Sequence, residues 1–468
     1  MIFKAEKIGA VDKCEIDLSK KLIIFTGPNN TGKTYIAHAI YGLFKKQYRV
    51  IFPHKLRSKI LSIIPINEGR FDLLGLLLNK EYHYEIAKAY TETLPLVFAS
   101  TKDNFKDSLI TISETEDYII KNVLDREVNT TLNFQNSKIH ITKAKGSTFL
   151  EFLLVESTDE KEIKANKKEE IFDKFPTRII LDVINEIAMD IVLPNIFIAP
   201  AERMAINIFN KELSVQRNVL LDKLLELGAA GNNKIDDPFD IINRRATRYP
   251  MPIRDSLEIA DDISNFKKKS SQFSFLADEL EKSILDGRIE ITRDGDVEYR
   301  PNKNKSQRLS MHLTASMVKS LSNLVIYFRH LAKKGDYIII DEPEINLHPD
   351  NQILLTRWIG KVIKNGFKVI ITTHSDYILN EFNVHILLSK YKDRKKLPFG
   401  YTNENIIMPD EVGVYLFKYD NTKSRKSKVQ KLNVTEEGFE IETIDEVINS
   451  LNKKIQTLHF ETLEDEDE

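Results

Sequence analysis

A chain of 468 residues, 42% hydrophobic and 29% charged, holds enough apolar material for a full core in two to three domains, or in one domain with large insertions. No apolar run approaches the ~20 residues of a membrane span, and the opening Met1-Ile-Phe-Lys-Ala-Glu-Lys7 is too charged for a signal peptide, so a cytoplasmic protein without membrane contact is expected. The net charge of −2 makes no whole-chain case for nucleic acid, and a single cysteine, Cys14, excludes an intramolecular disulfide and a cysteine-rich zinc site.

Residues 2–9 and 14–18 alternate as strands, and with the apolar run 22–26 they predict a sheet formed ahead of the first loop. That loop is Gly27-Pro28-Asn29-Asn30-Thr31-Gly32-Lys33-Thr34, followed by the helical run Tyr35-Ile-Ala-His-Ala-Ile-Tyr41. Strand, G-x-x-x-x-G-K-[ST] and helix together predict a phosphate-binding loop. Gly27 and Gly32 let the backbone curl so that N–H groups point inward, and the helix adds its positive end. All eight residues, Gly27 to Thr34, are therefore expected to bind ATP: Lys33 reaches the β- and γ-phosphates, and the Thr34 hydroxyl holds Mg²⁺.

Residues 1–50 form the first part of this head. From 51 to 135 the pattern reads as a mainly helical insertion, with helices in Arg70–Asn79 and Glu85–Tyr90. Residues 136–204 read as strands returning to the head. They hold two strands within 138–155 that turn at Gly146-Ser147, a polar loop over 157–170, a helix over 177–192, and the buried strand in Pro194–Pro200. Arg203 beyond it reads first as a salt-bridge partner of Glu202 or a neighbour, and second as a phosphate contact. Residues 205–285 read as a charged helical arm or dimerisation region without sustained heptads. In 286–385, Asp294-Gly295 signals a hairpin between 287–293 and 296–300. Residues 386–468 read as a cap: a hairpin of Val412–Lys418 with Lys428–Val434, a helix over Ile444–Asn452, and the acidic tail Glu464–Glu468.

A phosphate loop needs a carboxylate at the end of a distant strand, and Tyr337-Ile-Ile-Ile340-Asp341-Glu342 supplies two. Asp341 would hold Mg²⁺ through water, while Glu342, as general base, would polarise the attacking water. A helix over about 350–365 separates this strand from Phe367–Ser375, which carries His374, a catalytic candidate for contact with the γ-phosphate.

The phosphate loop, the run Ile340-Asp-Glu-Pro-Glu-Ile-Asn-Leu347-His348-Pro349 and Thr372-Thr-His374-Ser375, in that order, resemble the ABC-type ATPases of the RecF, SMC and OLD kind. Ala199-Pro-Ala-Glu-Arg203 looks like a strand of bacterial OLD-like ATPases. The resemblance implies an α/β ABC-type P-loop head with an N-terminal antiparallel sheet, helical insertions and a C-terminal hairpin-helix cap. It also implies a homodimer or higher homo-oligomer whose subunits share ATP sites, each lending a signature segment to its partner's γ-phosphate. The corresponding run here is Leu313–Lys319, with Ser316 as the phosphate contact. Met317 stands where relatives carry glycine, which argues against fast turnover.

OLD nucleases continue into a Toprim domain, for which the roughly 90 residues after His374 are too few. The Asp-x-Asp runs are Asp294–Asp296, in the hairpin, and Asp465–Asp467, in the tail. Compact ATPases of this kind typify two-gene antiphage systems such as PARIS and Septu, which implies a nucleotide-dependent switch for a separate effector, a nuclease. The alternatives are a RecF- or SMC-like repair ATPase that grips DNA itself, through basic runs such as Lys392–Lys396 and Lys423–Lys428, and a scaffold with vestigial ATPase activity.

Overall fold

The computed structural model describes residues 1–45, 69–134, 137–156, 162–164, 177–209, 249–394, 396–419, 426–440 and 450–458. Outside them lie the expected helical stretch before residue 69, most of the polar run 157–170, the arm around Gly231, half of the basic run 423–428, most of the helix 444–452, and the acidic tail.

The chain opens with strands β1 (Ile2–Ile8) and β2 (Val11–Asp17), antiparallel to each other, then β3 (Leu22–Thr26) and helix α1 (Lys33–Lys45). The stretch expected to be helical from Arg70 begins instead as a strand, β4 (Arg70–Asp72). Asp72 then caps α2 (Leu73–Leu78) by accepting from the Gly75 N–H at 2.9 Å. After α3 (Lys80–Val97) comes β5 (Leu109–Ser113), then α4 (Glu116–Asp125), so the described part of this region is mixed.

Strands β6 (Val128–Phe134), β7 (Ser137–Lys143), β8 (Phe149–Glu156) and the short β9 (Glu162–Lys164) join β4 in a separate five-stranded sheet. β7 and β8 are the two strands expected around Gly146. β9 lies inside the run expected to be loop, and this sheet does not join the head's main one. Helix α5 (Thr177–Val192) leads to β10 (Ile196–Ala199), which does. Next come α6 (Met251–Asp261), α7 (Ile263–Phe266) and α8 (Ser274–Leu280). The expected hairpin, β11 (Gly287–Ile291) with β12 (Val297–Pro301), gains a third strand, β13 (Leu309–Ser310). Helix α9 (Ser316–Ile326), β14 (Tyr337–Asp341), α10 (Pro349–Lys364), β15 (Lys368–Thr372) and α11 (Asp376–Leu387) follow.

The last hairpin, β16 (Val412–Tyr419) and β17 (Ser427–Leu432), forms as expected but does not cap the head. It is inserted in the middle of the main sheet, whose strand order is β10-β14-β15-β3-β16-β17-β2-β1-β5. β16 runs parallel to β3, and β17 runs parallel to β2. The first and last parts of the chain thus close one continuous sheet, because β16 satisfies the backbone groups along the open side of β3.

The strands around β3 are apolar throughout because both of their faces are covered. Alternate residues serve two cores. Ile23, Phe25, Ile339, Ile370, Tyr415 and Phe417 face a core shared with α1. Leu22, Ile24, Ile338, Ile340, Val369, Ile371, Val414 and Leu416 face a core shared with α9, α10 and α11. This double-sided burial fixes the height at which β3, β14 and β15 end, and their carboxyl ends carry the candidate site.

Candidate functional site

The buried strand β3 ends at Thr26, where the chain turns through Gly27 at φ +125°, Asn30 at φ +64° and Gly32 at φ +93° before entering α1. The first glycine is required twice over. Its backbone lies in the left-handed half of conformational space, and a Cβ there would stand 2.1 Å from the Phe417 carbonyl oxygen. A Cβ on Gly32 would meet Val11 Cγ2 at 2.6 Å. The C-terminal hairpin fixes the loop from outside: the Tyr419 hydroxyl donates to the Asn30 carbonyl at 2.6 Å, and the buried Ser427 hydroxyl to the Thr31 carbonyl at 2.6 Å. Thr31 ties the loop to itself, its hydroxyl donating to the Pro28 carbonyl at 2.8 Å.

Lys33 opens α1, and its ammonium donates to the Gly27 and Pro28 carbonyls, each at 2.9 Å. Burial pushes its pKa down to about 8, against the opposing pull of Glu342, Asp341 and Glu344. Beside it the Thr34 hydroxyl donates to Asp341 Oδ1 at 3.3 Å, and Thr372 donates to the same oxygen in a short bond. The other carboxylate oxygen, Asp341 Oδ2, is buried with no hydrogen-bond partner, and the closest cation-capable group is His38 Nε2 at 3.9 Å. Burial raises the Asp341 pKa, opposed by Thr372, Arg203, Thr34 and Lys33. A buried carboxylate oxygen left open beside a threonine hydroxyl is a donor set that fits a hard cation. The glycine cradle fits a polyphosphate.

The next residue, Glu342, sits past the strand end at φ +49°, with its N–H donating to the Thr372 carbonyl at 3.1 Å. Its side chain is about one-third exposed, and burial followed by the Asp341 charge raises its pKa. His374 Nε2 lies 3.9 Å from Glu342 Oε1. Burial, then the Lys33 charge, lowers the His374 pKa to about 4, so the ring is neutral near pH 7. Glu344 was not among the expected site residues. It accepts from the His374 N–H at 2.6 Å and from the Thr373 hydroxyl at 3.0 Å, which makes it the anchor of the His374 turn. Its place two residues after Glu342 was the available sign.

The structure therefore brings Gly27 to Thr34, Asp341, Glu342 and His374 together at one sheet edge. Ser316 is exposed at the first turn of α9 and makes no hydrogen bond with these residues. Arg203 matches neither of its readings: it is buried, and its guanidinium donates to main-chain carbonyls.

A family model described as AAA ATPase domain matches residues 9–379. The chain belongs to the AAA ATPase domain family. Membership bears out the ATPase resemblance, and the matched span of this AAA ATPase domain includes the phosphate loop, the Asp341 strand and His374. Similar solved structures include the Smc head domain of Pyrococcus furiosus with an extended coiled coil, bound to the C-terminal domain of ScpA. It is 12% identical, with 96% of this chain and 98% of that chain covered and a TM-score of 0.33. The SMC head domain from Thermotoga maritima is 10% identical, with 92% and 98% covered and a TM-score of 0.31. No curated protein matches the chain. Among the described residues, no helix is long and apolar enough to cross a membrane.

Proposed function

We propose that this chain binds ATP with Mg²⁺ at the Gly27–Thr34 loop and hydrolyses it. The observation that carries the reading is the meeting of the Thr34 hydroxyl with a buried Asp341 whose second oxygen is left open, beside Lys33 and Glu342. Loop N–H groups and the start of α1 face a polyphosphate, and Lys33 exchanges its two loop carbonyls for phosphate oxygens. Thr34 and Asp341 would hold Mg²⁺, which when bound neutralises charge on the β- and γ-phosphate oxygens. Glu342 takes the proton of the attacking water, and its raised pKa makes it a stronger base than an ordinary carboxylate. Neutral His374 can hydrogen-bond the water or the γ-phosphate.

Ser316, exposed at the start of α9, is available to a second copy of the chain, which supports ATP sites shared within a homodimer or higher homo-oligomer. On this reading nucleotide state switches the assembly, which in turn governs a separate effector, a nuclease, in antiphage defence. Asp294 and Asp296 flank the turn of the β11–β12 hairpin, and that position supports assigning any cutting to a partner. The test is steady-state phosphate release by the full chain. Lys33→Ala and Glu342→Gln should both abolish it, and undiminished release by either variant would overturn the assignment. Cleavage of plasmid, single-stranded DNA or tRNA by the purified chain, dependent on an acid other than Asp341 or Glu342, would overturn the separate effector.

A further inference from the structure

Arg203 is the largest side chain in the described protein that is fully buried, with 1% of its surface exposed. A buried guanidinium is costly unless its donors are satisfied. None of the ion pairs among the described residues includes it. It donates instead to four main-chain carbonyls: Nε to Ser320 at 3.0 Å, Nη1 to Pro200 at 3.1 Å and to Asp341 at 2.7 Å, and Nη2 to Glu342 at 2.8 Å. These carbonyls belong to three separate segments: the turn after β10, the tip of β14, and the second turn of α9.

The Glu342 peptide is consequently held from both sides. Its N–H is fixed by Thr372, and its carbonyl accepts from Arg203 at 2.8 Å and, more weakly, from the Ile345 N–H at 3.2 Å. At φ +49° this backbone does not relax into its conformation unaided, so the direction of the carboxylate depends on the clamp. The same guanidinium holds Ser320, which lies on the same helix face as Ser316, four residues earlier. Two further bonds run alongside it: Asn207 Nδ2 to the Lys319 carbonyl at 2.6 Å, and Asn346 Nδ2 to the Ser320 hydroxyl at 3.2 Å.

We infer that Arg203 is a positioning residue that sets the backbone of Glu342 and couples it to α9, so that an event at the Ser316 end of the helix registers on the base of the same subunit. The inference rests on the ATPase reading above. Arg203 is buried behind the site and acts through the two carbonyls at the strand tip. A lysine would keep the charge but lose the planar fork that reaches four acceptors.

The test uses the full chain with Arg203→Lys and Arg203→Gln, measuring ATP affinity, phosphate release and backbone hydrogen exchange. ATP affinity should stay within about threefold while the turnover rate falls by roughly 30-fold or more in both variants. Amide exchange should accelerate about tenfold or more at 342–347 and 316–322, with β3 and the phosphate loop unchanged. Wild-type turnover in Arg203→Lys would overturn the clamp, and so would parallel loss of affinity and turnover. Should both variants fail to fold, Asn346→Ala cuts the adjoining bridge, and an unaltered turnover rate there would count equally against it. The exchange readout needs no hydrolysis. Absence of wild-type turnover counts against the ATPase reading alone, and unaltered exchange at 342–347 in Arg203→Gln counts against this inference alone.

Discussion

Truncation before the last hairpin should destroy the head, although the phosphate loop, Asp341, Glu342 and His374 all lie upstream of the cut. Val412, Val414, Tyr415, Leu416 and Phe417 of β16 are each at most 3% exposed and contribute to both cores. At about 1.5–3 kcal/mol for each large side chain fully buried, the five contribute roughly 8–15 kcal/mol. That equals the whole stability of a typical domain, about 5–15 kcal/mol. The cut also strips the paired edge of β3 and removes the Tyr419 and Ser427 bonds to the phosphate loop. The assay compares residues 1–385, residues 1–440 and the full chain by thermal unfolding, size-exclusion chromatography and ATP-binding calorimetry. The shorter fragment should aggregate or lack a cooperative transition, whereas 1–440 should unfold within about 3 °C of the full chain and bind ATP equally. A monodisperse 1–385 fragment that binds ATP would refute the seating of β16 in the sheet.

Gly27→Ala should lower stability by about 2–5 kcal/mol, from left-handed backbone plus overlap with the Phe417 carbonyl, and should abolish ATP binding; an unchanged melting temperature would contradict it. For pH, burial lowers the folded pKa of His38 from 6.5 to about 4, so between those values the unfolded chain binds the extra proton. Stability should therefore fall as pH drops from 6.5 towards 4, by up to about 3 kcal/mol from this residue. His38→Gln should flatten that slope in urea titrations, and an equal slope in both proteins would contradict the assignment. Ser316→Arg should abolish hydrolysis and leave ATP binding nearly intact. Mixing it with Lys33→Ala subunits should restore part of the activity, and no recovery in proven mixed oligomers would count against shared sites.

What could be read from the sequence was local. β3, β14 and β15 announce themselves as unbroken apolar runs because both faces are covered, and the loop residues carry their own backbone chemistry in Gly27 and Gly32. The caps of α10 and α11, His348-Pro349 and Ser375-Asp376, sit where those helices start. What stayed hidden was pairing across distance. Nothing near Val412 states that its strand belongs beside Leu22, 390 residues away; the unalternating run Val412–Phe417, buried on both faces, carries the mark of an inner strand but not the identity of its neighbour. Likewise β5 pairs with β1 across a region whose helices dominate the pattern. Arg203 was misread for a related reason: a sequence displays carboxylates as partners for a cation, but main-chain carbonyls become acceptors only once the fold converges. Asp341 and Glu342 were legible as a pair, whereas the left-handed turn that separates their directions was not.

The most direct test of the ATP-hydrolysing site is the nucleotide that remains on Glu342→Gln after incubation with ATP and Mg²⁺ and rapid desalting. Intact ATP, its γ-phosphate uncleaved, should remain on Glu342→Gln, and no nucleotide should be retained on Lys33→Ala. Retention of ADP by Glu342→Gln at the wild-type rate of formation, or equal loss of nucleotide from both variants, would contradict these roles.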